Sequence, residues 1–393
     1  MNTIVELYDK EPLENVLSAC IFQPEMVVYV CDVKDNTLRK ERAVYRFFRS
    51  RGIRAKARFY YIDTTDLGLI LKLLHAIRKD YPDCVFDCTG GKDLVLLAAG
   101  IFCMENRVPA YYMDIASRRF INLFGCESMQ KQFSVPDLSA ENIFALTGAK
   151  LVGSGHFKGE TLDSEFEDDV LAVWNEILRD QNGWHRTAGF LQAAGARHPE
   201  QELGIHAKTE IRVNTQLTAS ADENFLRRLE HIGVIRDLRF DGQRVEFFHK
   251  STLMRRCLQN HGIWLELFAY VSAKRSGLFS DVRTSVLVDW DGSEYNNKGT
   301  RNEVDVLAVH NVTPVFISCK MGVPTPLALS EIKMLSDKFG GERTQTVLLT
   351  AADVEKKNPA VAQRAPDLGI YLLDARKMDS GALAKRLRII AEK

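Results

Sequence analysis

The run MVVYVCD constrains this chain more than any other stretch, because it leaves no polar face before its terminal aspartate. A strand that is apolar on both sides must be covered on both sides, which is the situation of a parallel sheet between two helical layers. The pattern recurs over the first ~145 residues. The strand-like runs TIVEL, MVVYVCD, ARFYYIDTT, CVFDCTGG and PAYYMDI alternate with the helical stretches PLENVLSACIF, TLRKERAVYRFFRSRG, LGLILKLLHAIRKDY and KDLVLLAAGIFCMEN. The fold class expected is therefore α/β, opening with a Rossmann-like domain over residues 1–145.

At 393 residues the chain is too long for one ordinary core and suits two or three domains. Residues 146–250 change character. An amphipathic helical region, SEFEDDVLAVWNEILRDQNGWHRTAGFLQAAGARH, precedes a helix that opens on Asp222 as N-cap and closes near Gly233. IRDLRFDGQRVEFFHK then alternates around Asp241-Gly242, a strong hairpin signal. Helices followed by a hairpin predict a winged helix. Its bases Arg236, Arg239, Arg244 and Lys250 suit a phosphate backbone, and the same fold also serves as a scaffold or dimerisation module. Residues 251–393 read as a second mixed α/β domain. A long helix, TLMRRCLQNHGIWLELFAYVSAKRSG, leads into three strands, VRTSVLVDWDG and NEVDVLAVHNVTPVFISCK. Helices then alternate with TQTVLLTA and GIYLLDA.

Lys plus Arg and Asp plus Glu number 52 each, so any nucleic-acid contact must come from a local patch rather than a global positive field. The 8 cysteines are scattered without C-x-x-C spacing and read as reduced thiols rather than a zinc site. The N-terminus MNTIVELYDKEP lacks a signal peptide's pattern, and no run approaches the ~20 apolar residues of a membrane span. A soluble, cytoplasmic protein is expected.

Chemistry concentrates in NEVDVLAVHNVTPVFISCK. Residues i and i+2 of a strand share a face, so Glu303 and Asp305 are expected to point one way, with Val304 and Val306 opposite. Ser318 and Lys320 share a face of the next strand, and the hairpin turn brings the two strands into register. Carboxylates are hard oxygen ligands for Mg²⁺ or Mn²⁺, and a neighbouring lysine can orient water or neutralise a developing phosphate charge. Glu266 adds an acid among the packing residues of WLELFAY. A surface hairpin with a salt bridge would explain Asp305 and Lys320 alone, but not Glu266.

The run W-L-E … D-V-R-T-S-V … N-E-V-D-V … V-F-I-S-C-K resembles the PD-(D/E)xK nuclease superfamily. More narrowly, it is similar to the restriction-endonuclease-like half of CRISPR-associated proteins that join a CARF sensor to such a nuclease. The resemblance implies that Glu266, Asp305 and the Cys319 carbonyl surround the metal, with Lys320 catalytic. The departure is Ser318, where the pattern has a carboxylate; Glu303 or Glu266 would supply the missing charge.

In VFDCTGGKDLVLLAAG, Thr89, Gly90, Gly91 and Lys92 follow a strand and open a helix. Glycines let a backbone approach a ligand, and a helix N-terminus attracts anions. The spacing is neither a Walker loop nor G-x-G-x-x-G. The run is similar to the CARF ligand-binding motif, and DKEPLENVL resembles that family's first loop, so the likeness spans the whole chain. It implies cyclic oligoadenylate as activator, with type III CRISPR antiviral defence as the setting. Cyclic tetra-adenylate has two-fold symmetry and suits a homodimer binding one ring across its interface. Lys92 would meet phosphate, Thr89 and the glycine amides would bond the ring, and Lys10, Asp32 and Asn36 would lie near it. The substrate would be DNA or RNA, with Lys274, Arg275, Lys298 and Arg301 as candidate contacts. Two rival readings remain: a ligand-sensing winged-helix regulator with a spent nuclease domain, and a constitutive repair or restriction nuclease.

Overall fold

The computed structural model describes residues 2–34, 37–290 and 301–393. The expected ligand residue Asn36 and the candidate contact Lys298 lie outside them.

In chain order the N-terminal strands are β1 (Thr3–Leu7), β2 (Met26–Asp32), β3 (Lys56–Ile62), β4 (Cys84–Asp87), β5 (Ala110–Asp114) and β6 (Arg119–Phe124). They form one sheet of order β3-β2-β1-β4-β5-β6. Pairing is parallel from β3 to β5, and β6 is antiparallel. The expected α/β character and the Rossmann-like parallel sheet are thus present. Chain order reverses between β1 and β4, so the loops after these two strands meet at the carboxyl edge, where ligands of open α/β sheets bind.

The later strands are β7 (Lys150–Ser154), β8 (Gly204–Lys208), β9 (Glu210–Arg212), β10 (Thr218–Ser220), β11 (Ile235–Phe240), β12 (Arg244–His249), β13 (Asp281–Asp289), β14 (Arg301–His310), β15 (Thr313–Lys320), β16 (Gln345–Thr350) and β17 (Ile370–Asp374). Asp222 caps the helix Glu223–His231 by accepting the Phe225 N–H at 3.1 Å, and the hairpin β11–β12 turns at Gly242 with φ 88°. β8 adds a third strand beside β12.

The C-terminal sheet has the order β17-β16-β15-β14-β13-β7. Its outer strand β7 therefore comes from residues ahead of the hairpin domain, a long-range pairing without a local signal. The single long helix expected over 252–277 is instead two, Thr252–Leu258 and Ile263–Arg275. Asn260 interrupts it by accepting the Gly262 N–H at 3.0 Å, an alternative that short polar side chains offer the backbone.

One apolar core fills the space between the two large sheets. Val16, Tyr29 and Phe47 from the first half join Leu307, Phe316 and Leu348 from the second, bridged by Phe144. The Phe144 ring stands edge-on to Phe316 and Phe339, with centroids 6.3 and 5.7 Å away. The opposite face of the C-terminal sheet packs on the helix Ile263–Arg275 and the central helices. Phe316→Ala should cost about 3–5 kcal/mol, the range for deleting a fully buried phenyl ring. Because the core is shared, both halves should melt earlier in one transition by circular dichroism. A separate, unshifted N-terminal transition would contradict a shared core.

Candidate functional site

Asp305 stands where β14 and β15 part. Their ladder runs from His310↔Thr313 to Val306↔Ile317 and stops there. The Asp305 carboxylate accepts the next donor, the Cys319 N–H, at 2.7 Å. The same oxygen accepts the Ser318 hydroxyl at 3.3 Å, and Lys320 Nζ lies 3.8 Å from it. The structure thus gathers Asp305, Ser318, Cys319 and Lys320 at one point. Lys320 is held from the other side by β16, where it pairs with Thr350.

Glu266 comes from the first turn of the helix Ile263–Arg275 and is only 7% exposed. It accepts the Thr284 hydroxyl at 2.6 Å, and that hydroxyl also lies 3.4 Å from the Asp305 carbonyl. Burial, reinforced by the Asp305 and Glu303 carboxylates nearby, pushes its pKa up to about 8.

Glu303 is reached differently from what strand alternation predicts. Val304 packs in the inter-sheet core with Val286 and Leu307, whereas Val306 packs in the opposite core with Ala308 and Ile317. The expectation that Val304 and Val306 share a face is therefore corrected. The cause is Ser285, which adopts φ 52° between the pairs Thr284↔Val306 and Val286↔Val304. Such local irregularities re-aim side chains. Ser285 donates its hydroxyl to Glu303, and His156 Nε2 lies 3.8 Å from Glu303 Oε1. His156 has no sequence signal: it follows β7, and its N–H donates to Ser285 Oγ at 2.8 Å. Gly155 is confined beside it, since a Cβ there would lie 2.9 Å from Ser285 Oγ and 3.0 Å from Glu303 Oε1.

Among the described residues, no three His, Cys, Asp or Glu side chains are grouped closely enough to hold a metal ion by themselves. The donor set nonetheless fits a hard divalent cation. Two carboxylates, Glu266 and Asp305, and a backbone carbonyl at Cys319 are oxygen ligands of the kind Mg²⁺ takes together with water. The Cys319 thiol is pushed well up by burial and then by Asp305 and Glu266, so it offers no thiolate.

At the carboxyl edge of the N-terminal sheet, Lys92 pairs with Asp32. Asp32 is 3% exposed, accepts the Thr64 hydroxyl and the Lys34 N–H at 2.8 Å, and is held well below the usual carboxylate range, chiefly by Lys92. It sits beneath the surface and positions Lys92, whose side chain is 45% exposed. The Thr89 hydroxyl donates to Asp87 and accepts the Met113 N–H at 2.9 Å, so it serves the loop itself. Gly90 and Gly91 are confined by packing: a Cβ would lie 3.0 Å from Glu14 Oε2 at Gly90 and 2.8 Å from Leu7 Cβ at Gly91, where φ is 131°. Gly91 donates its N–H to Asp9 at 3.1 Å. Lys10 points away, to Glu342 at 3.1 Å. Lys274 pairs with Glu167, and Arg275 with Glu167 and Asp168, so these candidate substrate contacts are engaged; Arg301 is exposed.

No protein-family model matches the chain, and no curated protein does. Solved structures do. Protein VC1899 from Vibrio cholerae aligns at TM-score 0.76 and 17% identity, over 99% of this chain and 97% of its own. Can2 from Sulfobacillus thermosulfidooxidans, solved in complex with cyclic tetra-adenylate, aligns at TM-score 0.70 and 17% identity, over 98% of this chain and 99% of its own. The chain shares their fold from end to end.

Glu14 beside Gly90 is pushed up to about 7 by burial and by the Asp9 and Glu11 carboxylates. An unfolded glutamate titrates near 4.3, so between these values the folded state binds the extra proton and stability falls as pH rises. Glu14→Gln should flatten that fall between about pH 5 and 7 in urea titrations. A pH slope unchanged from wild type would contradict this placement of the charge.

Proposed function

We propose that this chain is a metal-dependent endonuclease, cutting DNA or RNA, that a cyclic oligoadenylate switches on in CRISPR antiviral defence. The observation that carries the nuclease reading is the knot of Asp305, Ser318, the Cys319 amide and Lys320 where β14 and β15 separate, with Glu266 buried nearby. The activator reading is supported by the full-length fold shared with Can2, a protein solved with cyclic tetra-adenylate.

Glu266, Asp305 and the Cys319 carbonyl would hold Mg²⁺ or Mn²⁺. When bound, the metal supplies Lewis-acid polarisation of the phosphate and an acidified water. The Cys319 N–H and the Ser318 hydroxyl fix the rotation of the Asp305 carboxylate, which gives Ser318 an orienting role. Lys320 carries a positive charge to the strand end, where it would offset charge building on the phosphate oxygens. Glu303, held by Ser285 and near His156, supplies the further carboxylate that Ser318 does not.

In the N-terminal sheet, Lys92 would meet a phosphate of the ring. A two-fold dimer is supported by the helix Asp93–Asn106 that follows it, where Leu97, Ile101 and Met104 are exposed at helical spacing. A second copy on that stripe would bring two Lys92 loops together. The central helices and hairpin would form the winged-helix segment between sensor and nuclease. No helix among the described residues is long and apolar enough to cross a membrane; a cytoplasmic enzyme is proposed.

The test uses the full chain with Mn²⁺ or Mg²⁺ and single- and double-stranded DNA and RNA, with and without cyclic tetra-adenylate. Cleavage should need both metal and activator. Lys320→Ala and Asp305→Asn should each lower the rate by about 10²-fold or more while leaving the melting temperature near wild type. Duplex binding without cleavage would point to the sensor-regulator reading, favoured by Ser318 in the acid's place. Cleavage indifferent to the activator would remove the switch.

A further inference from the structure

The loop after β1 touches both the glycine loop of the N-terminal sheet and the C-terminal half. One Asp9 oxygen accepts the Gly91 N–H at 3.1 Å; the other accepts the Glu11 N–H at 2.9 Å. Asn15 clamps the same turn, donating to the carbonyls of Asp9 and Glu11 at 2.9 and 3.1 Å. The Glu11 carboxylate, on a residue only 7% exposed, then crosses to the C-terminal half and accepts the Glu342 N–H at 2.7 Å.

The receiving segment has little slack. Gly341 has φ 73°, and a Cβ there would lie 2.6 Å from Glu11 Oε1. This turn ends the helix Pro326–Phe339, whose chain begins soon after Lys320, and it leads into β16, which pairs with Lys320 through Thr350. The outer Lys10–Glu342 pair is largely exposed and contributes little by comparison. Burial raises the Glu11 pKa, while the Glu342 and Leu13 backbone amides lower it.

We infer that Glu11, seated on the Gly341–Glu342 turn, is the latch through which occupancy of the Gly90–Lys92 loop is transmitted to the Lys320 strand. The inference rests on the proposed function. A ligand that draws the glycine loop toward itself shifts Asp9, and Asp9 carries Glu11 with it through the Glu11 N–H. Glu11 then either holds or releases the turn between the helix Pro326–Phe339 and β16, the strand that pairs with Lys320 at its far end. A ligand can bias such an element only by favouring one of its two arrangements, which makes the latch the place where binding and cleavage are coupled.

The experiment compares wild type with Glu11→Ala, which removes the acceptor, and Glu11→Gln, which keeps an acceptor oxygen and guards against misfolding. Cyclic tetra-adenylate affinity is measured by calorimetry, and its effect on cleavage and on hydrogen exchange is measured for each protein. The latch predicts affinity within about threefold of wild type, with stimulation by the ligand reduced about tenfold or more in Glu11→Ala and less in Glu11→Gln. It also predicts that the ligand slows exchange around residues 85–95 in every protein, while its effect at residues 339–350 disappears in Glu11→Ala. A Glu11→Ala protein that keeps its stimulation and its exchange response at 339–350 overturns the latch alone. Loss of affinity in parallel with stimulation in both variants also overturns it, because Glu11 would then belong to the ligand site. A wild-type chain that takes up no cyclic tetra-adenylate fails the functional reading, and the latch with it. If wild type binds the ligand but cleaves nothing, the exchange response at 339–350 still decides the latch.

Discussion

A single carboxylate holds the C-terminal site together. Asp305 lies one residue beyond the last paired rung of β14 and β15, and it satisfies the Cys319 N–H that the parted strands would otherwise leave without a partner. A buried or half-buried amide without a partner costs roughly 1–3 kcal/mol, so the divergence of the strands and the position of Asp305 depend on each other. Ser318 and Lys320 then converge on the same oxygen because alternate residues of β15 share a face. The parting of the strands thus aims three neighbouring groups at one carboxylate oxygen.

The second constraint is the break in alternation at Ser285. Its φ of 52° exchanges the faces of β13 and β14, so that Glu303 is held by Ser285 and lies near His156 while Val304 remains in the core. A non-glycine residue in this region is sparsely populated and persists only where surrounding contacts over-determine it. Here they do: the Ser285 hydroxyl accepts the His156 N–H, and its carbonyl accepts the Gly155 N–H at 2.7 Å. The break at Ser285 thus accompanies a second acid, Glu303, held near the Asp305 site.

Much of this was legible in the residues. The apolar strands and their helices predict the parallel N-terminal sheet, Asp222 predicts a helix start that is observed, and Asp241-Gly242 predicts the hairpin. What was not legible depends on contacts far apart in the chain. The pairing of β7 with β13 brings His156 beside Glu303, and the docking of Glu11 on Glu342 joins residues from opposite ends; neither has a local pattern. The packing around the glycines is likewise a long-range matter. Gly90 and Gly91 are expected as ligand-approach residues, and their missing side chains also make room for Asp9, Glu14 and Leu7. Thr89 is expected as a ligand contact, and its hydroxyl also bonds Asp87 and Met113. The break at Asn260–Gly262 shows the same limit, since an apolar helical period does not reveal a side chain competing for the backbone.

The claim on which the rest turns is that this site holds a metal although Ser318 stands where the related pattern has an acid. Mn²⁺ titration of the full chain, followed by the loss of the free-ion paramagnetic resonance signal, tests it directly and does not depend on cleavage. The account predicts saturable uptake that Asp305→Asn removes, Glu266→Gln weakens and Ser318→Ala leaves largely intact. No saturable uptake by the wild-type chain, or uptake indifferent to Asp305→Asn, would contradict it.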